Sequence, residues 1–301
     1  MGIERQSVII GTVQFGLPYG VSNKKGKVQF DEVKEILDFA HQNNVRELDT
    51  AYNYGDSQNI LGLYNEIRPK NKFRFISKLP EIEGEEVNPQ DIEVYRVKLQ
   101  ETLCNLKIDK FDTLLLHSGK DILKKGGKAL PEFLESVKSQ GIVRKIGVSV
   151  YEEEEIEKVI GVFRPDVIQL PINFFDQRLL KTGTLQDLKE KGIEIHARSI
   201  FLQGLIFLGP NNLNSYFDPI KETFLNYYNY LSSNKIKPVQ AAIQFIKNIQ
   251  EVDKITVGVT SKNELLEIIR TYKETKKEEI PFESWAVNDS RYVNPSKWSL
   301  T

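Results

Sequence analysis

The chain has 301 residues, enough for a large core, built either as one big α/β domain or as two small ones. With 41 basic and 42 acidic residues it has no charge surplus to draw it to nucleic acid or to an anionic membrane. A single cysteine, Cys104, excludes an internal disulfide and a cysteine zinc cluster, and His41, His117 and His196 lack metal-ligand spacing.

Residues 7–13 are a short apolar run containing Gly11-Thr12-Val13 and read as a strand; Gly16-Leu17-Pro18-Tyr19-Gly20 reads as a loop. Asp31 can cap a helix whose apolar face is Val33, Ile36, Leu37 and Ala40, ending near Asn43-Asn44. Residues 45–48 form a strand leading into Asp49-Thr50-Ala51-Tyr52-Asn53-Tyr54-Gly55, a turn. Asp56-Ser57 then caps a short helix around 60–67 that Pro69 stops. The strand 73–78 ends at Lys78. Asn88-Pro89 opens a longer helix carrying Ile92, Val94, Tyr95, Leu99, Leu103 and Leu106, and the next strand ends in Leu114-Leu115-Leu116-His117. After Gly126-Gly127 a helix with Phe133, Leu134 and Val137 on one face ends at Gly141. The strand 142–149 follows, then a helix over 152–160 with the acidic first turn that a helix dipole favours. Strands at 167–170, 193–199 and 254–259 alternate with helices at 185–191, from Pro238 through Ala241, Ala242, Phe245 and Ile246, and at 263–272. The segment up to about Asn234 reads as looser. Residues 279–301 read as an irregular tail in which Trp285 and Trp298 act as anchors or wall a pocket.

The eight strand-like runs are short and mostly apolar, as strands buried on both faces should be, and a helix-like segment follows each. This alternation over one domain, 1–301, predicts an α/β fold of the (β/α)8 TIM-barrel type, with an open doubly wound sheet as the alternative. No strand is followed by a G-x-G-x-x-G turn, which counts against that alternative. No leader segment and no apolar run of membrane-spanning length is seen, so a cytoplasmic location is expected. In a barrel the C-terminal strand ends share the face where chemistry sits. Asp49, Lys78, His117, Ser149, Gln169, Arg198 and Gly258 fall at or near it.

A buried acid such as Asp49 needs a cation, and Lys78 from the next strand end can supply it. A free tyrosine has a pKa of about 10; a nearby ammonium stabilises the phenolate and lowers that value. Tyr54 then reads as a tuned general acid, with Asp49 holding Lys78 ionised and aimed, and His117 fixing the angle of a substrate oxygen. This set suits protonation of a carbonyl oxygen as hydride reaches carbon. It does not suit hydrolysis, since nothing activates a water or a serine. The hydride has to come from a cofactor. Taken singly, each residue has a plainer reading: a structural ion pair, a packed tyrosine, a core histidine.

The four residues in this order, with Gly11-Thr12, Asp49-Thr50-Ala51, Tyr54-Gly55, Ser77-Lys78, Leu116-His117, Gly147-Val148-Ser149, Gln169 with Asn173, Gly204-Leu205, and Gly258 before the last helix, resemble the aldo-keto reductases over nearly the whole chain. The resemblance implies a (β/α)8 barrel, a nicotinamide cofactor and reduction of a small-molecule aldehyde or ketone. It implies Tyr54 as the acid, tuned by Lys78 and Asp49, with His117 orienting the carbonyl. It also implies cofactor contacts at Gly11, Thr12, Val13, Asp49, Ser149, Gln169, Arg198, Ser199, Leu202 and Gly204. Ser149 and Gln169 would hold the nicotinamide carboxamide, and Gly258, Val259, Thr260, Ser261 and Lys262 would meet the adenosine phosphate end.

Several positions depart from the family pattern. Ser149-Val150 stands where Ser-Asn is frequent. Arg198 stands where many members stack an aromatic ring on the nicotinamide; a guanidinium can also lie on a ring but should disfavour the positively charged oxidised form. Glu264 would accept from a free ribose hydroxyl and repel a phosphate, whereas Lys262 argues the other way. NADP(H) is expected by family habit, with NAD(H) as the alternative. Ser118 replaces a bulky aromatic, implying a roomier, more polar pocket. The run 197–205 resembles a branch associated with bacterial surface-sugar synthesis, implying a sugar or nucleotide-sugar substrate. Two other readings stay open: a non-catalytic nicotinamide-binding regulatory or structural barrel, and an unrelated barrel lyase or isomerase.

Overall fold

Eight strands pair in parallel and in sequence order until the last meets the first, closing a barrel as expected. They are β1 (Ser7–Gly11), β2 (Glu47–Asp49), β3 (Arg74–Leu79), β4 (Phe111–Leu116), β5 (Val143–Ser149), β6 (Val167–Pro171), β7 (Glu194–Arg198) and β8 (Lys254–Gly258). The computed structural model describes residues 6–274 and 279–300. The first five residues of the expected domain, and Thr301 of the expected tail, lie outside these. Among the described residues no helix is long and apolar enough to cross a membrane.

The helices form where apolar spacing and end signals agree. Phe30–Gln42 buries Val33, Ile36, Leu37 and Ala40 on one face, with Asp31 and Glu32 in its first turn. Its N-cap is Gln29 rather than Asp31. Pro89–Leu106 opens on proline, and Asp91 accepts the Asn88 backbone N–H at 2.7 Å. Tyr95, Leu99, Leu103 and Leu106 face the barrel, whereas Val94 is exposed. One expectation needs correction: the segment read as looser contains the helix Lys221–Asn234, which buries Phe224, Tyr227 and Leu231. That i, i+3, i+7 spacing was the available signal. The surrounding Asn, Tyr and Ser residues, weak helix formers, masked it.

The tail is not wholly irregular. It contains the short turns Phe282–Trp285, Ser290–Val293 and Pro295–Lys297. Trp285 is buried, edge-on to Tyr227 at 5.3 Å and to Phe174 at 5.8 Å between ring centroids. The Gln177 side chain donates to the Phe282 carbonyl (2.7 Å), and the Val287 N–H donates to the Phe175 carbonyl (2.8 Å). The tail is thus stapled to the loop that leaves β6.

Side chains alternate in and out along each strand, so residues two apart share a side. Counting back from the C-terminal ends gives layers inside the barrel. Ile9, Ile76, Leu115 and Val167 form a small apolar cluster of their own. Below them lies a charged floor: Lys254 pairs with Glu47 (2.6 Å) and Glu194 (3.1 Å), while Glu194 also takes Lys145 and His196 Nε2. His196 therefore belongs to the floor. Above the apolar layer, in register, stand Gly11 beside Asp49 and Gly258, and Ser149 beside Gln169.

Candidate active site

β2 ends at Asp49 and β3 carries Lys78, and both side chains are almost fully withdrawn from solvent. Lys78 Nζ donates to Asp49 Oδ1 at 2.5 Å and to the Thr50 carbonyl at 3.1 Å. The other carboxylate oxygen, Oδ2, accepts from Gln169 Nε2 at 2.7 Å. The Asp49 main chain is fixed as well: its carbonyl accepts from both the N–H and the hydroxyl of Thr12, each at 2.9 Å. Lys78 Nζ lies 5.3 Å from the centre of the Tyr54 ring, which meets the His117 ring edge-on at 5.9 Å. The four residues named from three successive strand ends are therefore neighbours.

They line one cavity of about 470 Å³. Of the other residues expected to bind a cofactor, Gly11, Val13, Ser149, Gln169, Arg198, Ser199, Gly204, Gly258 and Thr260 also line it. Thr12, Leu202, Val259, Ser261 and Lys262 stand behind or beside the lining. Thr12 supports Asp49, Leu202 and Val259 are core residues, the Ser261 hydroxyl accepts from the Glu264 N–H (3.3 Å), and Lys262 Nζ pairs with Glu35 (2.8 Å). Ser118 is not part of the lining, nor is any described residue of the tail, so neither shapes the pocket as the sequence reading allowed. Gln14, Tyr19, Asn53 and Tyr151 line it and were not singled out. Their only signal was position, each lying within a few residues of a named strand end or of Tyr54.

The electrostatics depart from the expected tuning. Burial, then the Asp49 carboxylate, push the Tyr54 phenol well above its ordinary value, and Arg198 pulls more weakly the other way. The Lys78 ammonium makes its hydrogen bonds to Asp49 and Thr50, not to the Tyr54 hydroxyl. Burial lowers Lys78 itself, with the Asp49 contact opposing. Burial also drives His117 down to about 3, helped by the charges of Lys78 and Arg198. The cavity therefore holds a protonated phenol next to a neutral imidazole.

On the wall between β1 and β8 the cavity is lined by Gly11, Gln14 and Gly258. Gln14 Oε1 is buried without a partner, and a Cβ on Gly258 would come within 2.6 Å of that side chain. An acceptor lacking its donor in the cavity wall fits a ligand with hydroxyl or amide donors. At the far end the segment 258–262 is held by carboxylates. Glu264 accepts from the Thr260 N–H (2.7 Å) and hydroxyl (2.8 Å), and Glu32 accepts from the Lys262 N–H (2.7 Å).

The Aldo/keto reductase family model matches residues 7–281. Among solved structures, a Bacillus halodurans aldo-keto reductase in its holo form aligns with a TM-score of 0.71 at 16% identity, over 93% of this chain and 90% of that one. A Pseudomonas aeruginosa chain described as a candidate aldo-keto reductase aligns with a TM-score of 0.67 at 17% identity, over 90% of each chain. At such identities the likeness concerns the fold. No curated protein matches the sequence.

Proposed function

We propose, for a chain that belongs to the aldo/keto reductase family, the reduction of an aldehyde or ketone to the alcohol, with Tyr54 as the proton donor. The observation that carries this is the convergence of Tyr54, His117, Lys78 and Asp49 on one cavity. A reduced nicotinamide, when bound there, would supply the hydride that the carbonyl carbon needs. Ser149, Gln169 and Gln14 are the residues that would hold it. The Tyr54 O–H gives its proton to the carbonyl oxygen. Its raised proton affinity keeps it protonated until the oxygen gains charge, and makes it a hydrogen-bond donor at every working pH. His117, neutral, orients the same oxygen without adding a charge. Asp49 and Lys78 form a fixed charged support beneath the phenol, and Gln169 locks the carboxylate.

For the cofactor, the family's habit favours NADP(H), and NAD(H) is the second reading. The observation behind the second is that Lys262, the one cation argued for a 2′-phosphate, is paired with Glu35, while Glu32 and Glu264 add negative charge nearby. A sugar or nucleotide-sugar substrate is supported by the run 197–205 and by Ser22 and Asn53 on the cavity wall, which can meet hydroxyls.

The test is titration of the wild type and Tyr54→Phe with NADPH and NADH, followed by fluorescence quenching, then turnover of a panel of aldehydes and keto-sugars. Both proteins should bind at least one cofactor with similar affinity, and Tyr54→Phe should lose roughly 10²–10⁴-fold in kcat. Binding without turnover of any carbonyl compound would favour the regulatory barrel instead. No binding of either cofactor would return the four residues to a structural cluster.

A further inference from the structure

Two basic side chains line the cavity, Lys78 and Arg198. The charge of Lys78 is spent on Asp49 at 2.5 Å. Arg198, at the end of β7, makes no ion pair among the described residues. A single donor is engaged, with the Val150 carbonyl accepting at 3.3 Å, and the guanidinium lies 4.1 Å from the centre of the Tyr151 ring. Glu155, an acid that feels the Arg198 charge, accepts from the Tyr151 N–H (3.1 Å), and burial pushes its carboxyl up. Asp49 and Glu264, the acids in the lining, are fixed to Lys78 and to Thr260. Arg198 lines the cavity with its remaining donors unused by the described protein groups. Its rigid fork matches a carboxylate in bidentate geometry, and the Tyr151 ring limits how far the fork can turn. The charge is felt at both Tyr54 and His117, so an anion held there sits beside the reacting carbonyl.

We propose that Arg198 receives a carboxylate of the substrate, so that the compound presented to Tyr54 and His117 is an aldehyde or ketone that is also an acid. This rests on the carbonyl-reduction reading above. It assigns Arg198 to the substrate rather than to the cofactor, whose phosphates are expected at 258–262.

The probes are 4-carboxybenzaldehyde and 4-formylbenzamide, alike in shape and different by one charge. Wild-type kcat/KM should favour the acid by roughly tenfold or more, the usual effect of a charge-assisted hydrogen bond. Arg198→Gln should bring the ratio to within about twofold, and Arg198→Lys, which keeps the charge and loses the fork, should fall between. The matching alcohols, titrated by calorimetry into protein loaded with reduced cofactor, form dead-end complexes and report the same preference without turnover. Equal binding of the two alcohols, no binding of either, or a preference that survives Arg198→Gln overturns the proposal. So does a large loss of NADPH or NADH affinity in Arg198→Gln with the acid preference intact, since the cation would then serve the cofactor. If neither aldehyde turns over but the acid alcohol binds through Arg198, carbonyl reduction fails and the anion site stands.

Discussion

Replacing Asp49 by alanine is the most informative single perturbation of the site, because it separates the support from the chemistry. Among the described residues it removes the only carboxylate in contact with Lys78, which is 1% exposed, and leaves that ammonium with the Thr50 carbonyl. It also strips Gln169 Nε2 of its acceptor. Breaking a buried pair by deleting one partner costs about 3–5 kcal/mol, a large share of the roughly 5–15 kcal/mol that holds a typical protein folded. Urea unfolding followed by circular dichroism should show that loss. The pH dependence is a second signature. Burial already holds Lys78 below its ordinary 10.5, and deleting Asp49 removes the opposing pull. A lysine depressed in the folded state is least costly above its unfolded pKa, and its cost grows as pH falls towards the folded value. The deficit of Asp49→Ala should therefore be larger at pH 6.5 than at pH 9.5, by up to about 1.4 kcal/mol per pH unit. The double variant Asp49→Leu/Lys78→Met should recover most of the stability while remaining inactive. A loss below about 1 kcal/mol, or a deficit that does not change with pH, would refute the reasoning.

Two further outcomes follow from the same geometry. A Cβ on Gly16 would lie 1.8 Å from the Tyr54 carbonyl oxygen and 2.6 Å from the Ser57 N–H nitrogen. Gly16→Ala should thus cost on the order of 1–3 kcal/mol and, by moving Tyr54, lower kcat by about tenfold or more, read from unfolding and steady-state rates. With His117 near 3, the pH profile of kcat/KM should show no histidine inflection near 6.5. One that His117→Gln abolishes would show that the imidazole titrates in the working range.

The fold was legible in the sequence because parallel strands buried on both faces leave short apolar runs, and their alternation with helices admits few architectures. The acid, the ammonium, the phenol and the imidazole were legible because each sits at or just past a strand end. Partnerships across the barrel were not. Gln169 stands 120 residues from Asp49, and only closure brings its amide to Oδ2. The surroundings of Tyr54 were not legible, because sequence gives Lys78 its charge but not its hydrogen bonds to Asp49 and Thr50. The 258–262 segment looked open to phosphate because Glu32 and Glu35 come from a distant helix to occupy Lys262. The stacking of Arg198 on Tyr151 joins the ends of β7 and β5, which no local pattern records.

The staple between the tail and the loop after β6 bears on how such a barrel can be recombined. Trp285, Phe282 and Val287 meet Phe174, Phe175 and Gln177 across more than a hundred positions of sequence. Residues 173–177 and 282–287 therefore behave as one heritable block. A chimera whose crossover falls between them would pair half of an aromatic joint with a stranger's half, exposing Trp285 and loosening the loop beyond Gln169. Grafts that exchange the two segments together should keep their yield, and those that exchange one should be found among the insoluble products.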